Sequence, residues 1–336
     1  MAPLCLLYFA TVAICLGAAG HLADRALPPT APRRWIWGLA LIGAVILPPL
    51  FSAQHSSHVI DLWGRELVRL PDVALSGATA QSAMSRNWLE CSATFGQTLL
   101  LIWLGATILL LLWGMANAVR VGRLVRGARA ARDARGAGVE PTVVDGVEVV
   151  VTDGLGPATT GLLRQRVLLP RWVLALPATQ RRYVVRHEEE HRRSYDAGLL
   201  CLASLLVALM PWNVPLWWLL RRLQLAIEMD CDRRVVAALG APAAYGELLL
   251  SVAAAANGPR LQPALLGGVG MLEQRIMALV APASRGIAHR VVAPLLALVL
   301  LAVVFSVPHP QPAAHAEVHR HDAAAVQAVP SLAEHR

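Results

Sequence analysis

Two histidines of this sequence, His187 and His191, lie four residues apart in the segment His-Glu-Glu-Glu-His. On a helix, positions i and i+4 share a face, so both imidazoles can reach one tetrahedral metal ion. Glu188 follows the first histidine and can accept a proton from water at that ion. With eleven histidines and twelve glutamates in 336 residues, chance gives the pattern His-Glu-x-x-His only about 0.01 times. The segment predicts a catalytic zinc site; the alternative is a merely charged helix face.

A catalytic zinc site needs a third protein ligand and one open position. We predict Glu228 as this ligand, in a second helix where Glu228 and Asp232 share one face at positions i and i+4. Asp232 can accept a hydrogen bond from a zinc-binding histidine, through the ring nitrogen that does not bind the metal. The alternative is two solvated acids paired with nearby arginines. Asp230 and Cys231 are weaker ligand candidates, and we expect Cys231 in the core.

The elements that position these residues are two short strands followed by helices. The pattern predicts strands at 147–151 and 166–170 and then a helix over 180–196, with Thr179 as its N-cap. An extended substrate is expected to pair with the edge of this small sheet near 147–151.

Residues 197–220 form an apolar stretch between the two helices of the predicted site. A straight helix through it would cross the bilayer and place Glu228 on the opposite side from His187. Pro211 and Pro215 interrupt the stretch, and the residues before Pro211 span only about 21 Å as helix, short of the ~30 Å hydrocarbon core. We therefore predict a membrane-associated hairpin that returns Glu228 to the histidines.

The composition is that of a membrane protein. It is 56% hydrophobic and 15% charged, with a mean hydropathy of +0.51, which excludes an ordinary soluble globule and a disordered chain. Four apolar runs approach the roughly 20 residues that span hydrocarbon: 3–20, 35–51, 95–115 and 291–307. The expected organisation is three transmembrane helices in 1–119 with an outer loop at 52–94, a zinc peptidase domain at 120–290, a transmembrane helix at 291–307 and a His-rich tail at 308–336.

Arginine placement predicts the orientation, since short arginine-rich loops stay cytoplasmic. The loop 21–34 carries three arginines, and six follow the third apolar run: Arg120, Arg123, Arg126, Arg129, Arg132 and Arg135. We expect the amino terminus and the tail outside, and 117–290 in the cytoplasm. A cleaved signal peptide at 1–20 is the alternative to the first span. The net charge of +8 is interpreted as attraction to anionic membrane lipid, without direct nucleic-acid binding.

Residues 147–249 contain a set of motifs that is more specific than the zinc segment alone. The motifs are Gly161-Leu162-Leu163, Val167-Leu168-Leu169-Pro170, the 187–191 segment followed by Asp196, Trp212-Asn213-Val214-Pro215-Leu216-Trp217-Trp218, 228–232 and Tyr245-Gly246-Glu247-Leu248-Leu249. Together they resemble the BlaR/MecR-type membrane metallopeptidases, which are bacterial sensor-transducers. The resemblance implies a mainly α protein in the bacterial inner membrane, with a cytoplasmic gluzincin-like α+β domain.

For the site, the resemblance implies zinc held by His187, His191 and Glu228. It implies Glu188 as the base and Asp232 as the orienting residue. The implied substrate is a cytoplasmic transcriptional repressor, the protein itself, or both, cleaved after an external signal. Self-association is a further expected interaction.

Two features depart from that family. Val214 separates Asn213 from Pro215 in the hairpin, so the turn geometry is not predicted. Antibiotic-sensing members carry a penicillin-binding domain after the last span, where this sequence has a short tail, so we expect no β-lactam sensing by that route. The tail is interpreted as disordered, with metal capture as the alternative. It contains His309, His315, His319, His321 and His335.

The expected reaction is zinc-assisted peptide hydrolysis with Glu188 as general base. Tyr195 and Tyr245 are the candidate oxyanion donors, and a structural role is the alternative for each. Two other functions stay open: a constitutive quality-control protease of the membrane, and a non-proteolytic transducer in which zinc is structural.

Overall fold

A computed structural model describes residues 2–28, 31–54, 81–133, 142–152, 156–162, 164–255, 269–280, 292, 294–300 and 302. This part of the chain is mostly helical, which confirms the predicted mainly α class. The helices are α1 Ala2–Ala26, α2 Arg34–Gln54, α3 Gln81–Asp133, α4 Arg171–Leu174, α5 Ala178–Arg193, α6 Asp196–Leu209, α7 Val214–Leu239, α8 Pro242–Ala255 and α9 Val269–Val280. The strands are β1 Thr142–Val144, β2 Val147–Thr152, β3 Ala158–Thr160 and β4 Arg166–Pro170.

Two helical segments among the described residues are long and apolar enough to cross a membrane: Leu6–Ala26 and Gly96–Gly127. None of the apolar window in the second segment is buried in the protein. Its Leu101 and Leu109 are 69% and 68% exposed. A continuous apolar surface of this kind is suited to lipid rather than to water, which indicates membrane association. Of the predicted last span, residues 294–300 are helical, and the His-rich tail lies outside the described residues.

The first hydrophobic core joins α1 and α2 to the predicted hairpin. Helix α6 ends at Leu209 and α7 begins at Val214, so the chain reverses where the prolines lie. Pro215 is in the first turn of α7, where its missing N–H breaks no helical hydrogen bond. The indole of Trp217 donates to the carbonyl of Pro211 at 3.0 Å and closes the turn. Apolar side chains from all four helices then pack together, among them Val12, Leu41, Val207 and Leu219.

The sheet has the order β1-β2-β4-β3, with β2 and β4 parallel and both outer pairs antiparallel. Asp145 and Gly146 have φ of 48° and 83°, which suits the tight turn between β1 and β2. Both predicted strands are confirmed as β2 and β4. The predicted substrate edge at 147–151 is wrong, because β2 is paired on both sides. Among the strands that the structure describes, β1 and β3 form the free edges.

The sheet packs against α5, α7 and α8 to form a second core. Its buried members include Val149, Val167, Val185, Val235 and Leu248. This core fixes the face of α5 that carries the histidines relative to α7.

Helix α5 differs from its prediction at both ends. It begins at Ala178 with Pro177 as N-cap, so Thr179 lies inside the helix and is not its cap. It ends at Arg193 rather than continuing to Asp196, because Tyr195 adopts a left-handed conformation with φ of 55° that breaks the helix. Asp196 therefore begins α6 and turns back toward α5.

Candidate metal centre

The two histidines of α5 present their Nε2 atoms to the same point. Val184 and Val185 bury the inner face of α5 against the second core, which leaves His187 and His191 one turn apart on the adjacent face. The two Nε2 atoms are 3.2 Å apart.

Helix α7 brings Glu228 to this point. The Oε2 atom of Glu228 lies 3.6 Å from Nε2 of His187, and its Oε1 atom lies 3.7 Å from Nε2 of His191. Zinc bonds of 2.0–2.1 Å in a tetrahedron separate neighbouring ligand atoms by about 3.3 Å. Two imidazoles and one carboxylate are also a common ligand set of catalytic zinc. The spacing and chemistry of the three side chains therefore fit a zinc ion.

Cys231 provides a second grouping with the same histidines. The ligand atoms of His187, His191 and Cys231 all lie within 4.8 Å of one another. However, the Sγ atom is 3.3 Å from Nδ1 of His187, the ring nitrogen opposite to Nε2. Cys231 is also fully buried in the second core, as expected from the sequence. The grouping around Glu228 is the better metal site, because there both histidines use the nitrogens that face each other.

Charges around the histidines favour a cation at this point. Burial lowers the pKa of His187, but Cys231 and Glu228 outweigh this effect and raise that pKa to about 10. Burial raises the pKa of Glu228, but Arg275 and both histidines outweigh it and hold that pKa well below its usual value. A negative potential that stabilises a proton on the imidazoles also stabilises a metal cation between them.

Asp196 holds the second histidine, a role that sequence analysis missed. Its Oδ2 atom lies 2.9 Å from Nδ1 of His191, and its Oδ1 atom accepts a hydrogen bond from Arg34 at 3.0 Å. Because an ionised carboxylate only accepts, Nδ1 of His191 carries a hydrogen, so Nε2 is the nitrogen that presents a lone pair once a metal ion displaces its proton. The helix break at Tyr195, which no spacing rule predicts, creates this contact.

Tyr245 and Asp232 hold the first histidine in the same way. The hydroxyl of Tyr245 donates to Oδ1 of Asp232 at 2.7 Å and lies 2.9 Å from Nδ1 of His187. Asp232 itself is 3.5 Å from that nitrogen. Since the hydroxyl hydrogen points to Asp232, Nδ1 of His187 donates to the hydroxyl oxygen. Nε2 is again the nitrogen that presents a lone pair once a metal ion displaces its proton. Tyr195, by contrast, is 60% exposed at the α5–α6 junction.

Arg275 of α9 joins the two acids of α7, and sequence analysis did not identify it. Its Nε and Nη2 atoms donate to the two carboxylate oxygens of Asp232, each at 2.7 Å. Its Nη1 atom lies 2.9 Å from Oε2 of Glu228. One guanidinium therefore orients both carboxylates. Arg275 lies 43 residues after Asp232, a separation at which the sequence carries no local signal.

Glu188 is a residue of α5 that contacts the edge strand β3, and it is only 6% exposed. The hydroxyl of Thr159 donates to the backbone carbonyl of Glu188 at 2.7 Å and lies 3.2 Å from its Oε2 atom. The next two glutamates have other contacts: Glu189 accepts hydrogen bonds from Arg192 and Arg193, and Glu190 accepts one from Arg234. These differences separate Glu188 from its neighbours.

In the comparison with protein families, the family described as BlaR1 peptidase M56 matches residues 28–279. This range begins before α2 and extends through most of α9, so it includes every residue of the candidate metal centre. No curated protein and no solved structure gives a match. The family match confirms the resemblance indicated by the sequence motifs.

Proposed function

Because the chain belongs to the BlaR1 peptidase M56 family, whose members are membrane-associated metallopeptidases, we propose that it is an integral-membrane zinc metalloendopeptidase that acts in signal transduction. The observation that carries the proposal is the convergence of two Nε2 atoms of α5 and one carboxylate of α7. Glu188 follows His187 directly in α5. The proposed domain is of the gluzincin type, in which a glutamate from a second helix completes the histidine pair. Zinc is the proposed metal, held by His187, His191 and Glu228.

The residues around the metal centre have distinct roles in this proposal. Zinc would supply the Lewis acidity that polarises a peptide carbonyl. Glu188 accepts the proton of the attacking water and returns a proton to the leaving amine. Asp196 and Tyr245 hold the imidazoles with Nε2 facing inward, and Asp232 acts on His187 through the hydroxyl of Tyr245. Tyr245 is thus a positioning residue rather than an oxyanion donor, since its hydroxyl lies at the Nδ1 side of His187.

The free edge of β3 is the proposed substrate-binding element. Within the described part of the chain, β3 pairs only with β4. Its Thr159 contacts Glu188. An extended peptide that pairs with this edge would pass directly beside the proposed base.

The proposed substrate is a cytoplasmic transcriptional repressor, the protein itself, or both. Cytoplasmic placement of the site is supported by the loop between α1 and α2, whose arginines predict a cytoplasmic position. Arg34 of α2 donates to Asp196 beside the metal centre, and Arg233 donates to the backbone carbonyl of Ala31 in that loop. These contacts support a loop and a site on the same side of the membrane helices. In the proposed orientation the amino terminus is outside.

The experiment is a comparison of new protein amino termini in cells that express the wild type, Glu188→Gln or Glu189→Gln. The control variant has the same substitution on the same helix, but it changes a glutamate that pairs with arginines outside the centre. We expect cleavage of one regulator, or of the chain itself, with the wild type and Glu189→Gln, and none with Glu188→Gln.

Two other outcomes would favour different functions. Many cleaved membrane proteins and no dependence on a stimulus would indicate a quality-control protease. Unchanged signalling by a folded, zinc-loaded Glu188→Gln protein would refute the proteolytic mechanism and indicate a transducer with structural zinc.

A further inference from the structure

A cavity of about 460 Å³ lies between α1, α7 and α9, beside the loop that joins α1 to α2. Three arginines line it: Arg25, Arg33 and Arg222. The apolar side chains Leu225, Met229 and Met277 also line it. We call this space the arginine cavity. It is separate from the metal centre, because none of the proposed metal ligands lines it.

Positive charge exceeds negative charge in the arginine cavity. Two carboxylates, Asp24 and Glu273, accompany the three guanidinium groups. Asp24 is shared, with one oxygen 3.3 Å from Nε of Arg33 and the other 3.5 Å from Nη2 of Arg222. Burial lowers the pKa of Arg222; Asp24 opposes this, whereas Arg25 and Arg33 lower the pKa further. Arg222 is thus crowded by like charge, which a further anion would relieve.

Several buried nitrogens in the arginine cavity have no hydrogen-bond partner within the described part of the chain. They are Nε of Arg33, Nε of Arg222 and Nδ1 of His21. Nε of Arg33 is within ion-pair distance of Asp24 but lacks hydrogen-bond geometry. Buried donors in folded proteins nearly always have an acceptor, from the protein, from water or from a bound ion. An anion with several acceptor oxygens would satisfy these guanidinium donors together.

The position of the arginine cavity indicates where such an anion comes from. The candidate membrane span of α1 ends at Ala26, so Arg25 and the cavity lie at the expected membrane surface. Basic pockets beside membrane helices on the cytoplasmic side bind lipid head groups. The apolar wall formed by Leu225, Met229 and Met277 suits the carbon atoms attached to a head group.

We propose that the arginine cavity is a binding site for a phosphate group, held by Arg33 and Arg222 and carried either by an anionic phospholipid or by a soluble phosphate. Guanidinium groups match phosphate oxygens in geometry and charge. Bound phosphate would also brace α9, the helix that holds Arg275 against Glu228 and Asp232. The site itself does not depend on the peptidase activity.

The test uses purified full-length protein in nanodiscs of phosphatidylcholine, with and without phosphatidylglycerol. Retained phosphatidylglycerol is counted by native mass spectrometry, and its dissociation constant is obtained by titration. A second arm titrates inorganic phosphate against chloride at equal ionic strength in phosphatidylcholine nanodiscs and follows thermal unfolding. Preference for phosphatidylglycerol alone assigns a lipid; stabilisation by inorganic phosphate assigns a soluble source. Either result supports the proposed phosphate site.

Two variants change the charge of the arginine cavity without removing an arginine. Gln274→Glu adds a carboxylate to its wall at nearly constant shape and should weaken binding about fivefold, whereas Glu273→Gln should strengthen it by a similar factor. Arg222→Gln should abolish saturable binding. Arg222 also stacks over Trp37 at 4.8 Å, so Arg222→Gln can fail to fold. In that case Gln274→Glu and Glu273→Gln still test the proposal.

Arg123→Gln is the matched control for general attraction to anionic lipid. Arg123 is an exposed arginine of α3, outside the arginine cavity. The proposal is overturned if phosphatidylglycerol and inorganic phosphate both bind no better than the neutral lipid or chloride. It is also overturned if Arg123→Gln weakens binding as much as Gln274→Glu does.

Discussion

Replacing Tyr245 by phenylalanine tests how the first histidine is held. The substitution deletes one oxygen atom from a residue that is 1% exposed, so the core keeps its shape. It removes the hydrogen bond to Asp232 at 2.7 Å and the contact with Nδ1 of His187 at 2.9 Å. Asp232 keeps both of its bonds to Arg275, but the imidazole loses its nearest partner.

The magnitude of this change follows from those contacts. A hydrogen bond to a charged group contributes about 1.5–3 kcal/mol. Asp232 can recover part of this, because it lies only 3.5 Å from Nδ1, so we expect a loss of about 1–2 kcal/mol in the free energy of unfolding. Residues that orient metal-binding histidines typically change metal affinity by about 10–100-fold. We therefore expect zinc to bind Tyr245→Phe about 10–100-fold more weakly.

The assay is zinc titration of the purified protein in competition with a chromophoric chelator, with thermal unfolding in parallel. Tyr183→Phe is the matched control, because its hydroxyl donates to the carbonyl of Gly240 at 3.0 Å and its ring lies 5.5 Å from that of Tyr245. An oxyanion donor would behave differently: its loss lowers kcat by about 10²–10³-fold and leaves zinc affinity unchanged. Unchanged zinc affinity in folded Tyr245→Phe, or an equal loss in Tyr183→Phe, would refute the positioning role.

Three further substitutions test the ligand set, the α9 contact and the edge strand. Glu228→Gln should lose stoichiometric zinc, whereas Cys231→Ser should keep it, as measured by metal analysis; the reverse result would favour the cysteine. Arg275→Gln removes the guanidinium that Asp232 and Glu228 share and should lower the free energy of unfolding of metal-free protein by about 3–5 kcal/mol. Gln274→Ala should change that free energy by less than about 0.5 kcal/mol in denaturant titrations. Gly161→Ala should destabilise the β3–β4 turn by about 1–3 kcal/mol and reduce peptidase activity. The reason is that φ of Gly161 is 106° and a Cβ atom there would lie 2.4 Å from the carbonyl oxygen of Arg164. A variant as stable as the wild type would show that β3 is not held by this turn.

The local parts of the fold and site could be predicted from the sequence, because their signals are local. The spacing of His187 and His191 sets a shared helix face, and Pro211 and Pro215 indicate where the apolar stretch reverses. The two strands with β-branched or apolar runs were also predicted correctly. In each case, neighbouring residues alone determine the geometry.

The remaining features depend on contacts between distant segments. The order of the sheet depends on the parallel pairing of β2 with β4, which places β2 between two strands and leaves β3 at an edge. Asp196 reaches His191 only because Tyr195 adopts a left-handed conformation. Arg275 reaches Glu228 from a helix far along the chain. Neither residue spacing nor hydrophobic pattern contains these tertiary contacts.

X-ray absorption at the zinc edge of the purified full-length protein tests most directly whether α5 and α7 bind one ion together. We predict about one zinc per chain, with nitrogen and oxygen neighbours at about 2.0–2.1 Å and outer scattering from two imidazoles. Glu228→Gln should lose this stoichiometric zinc signal. A protein that binds no zinc after loading, or a spectrum with a sulfur neighbour at about 2.3 Å, would contradict a metal centre formed by His187, His191 and Glu228.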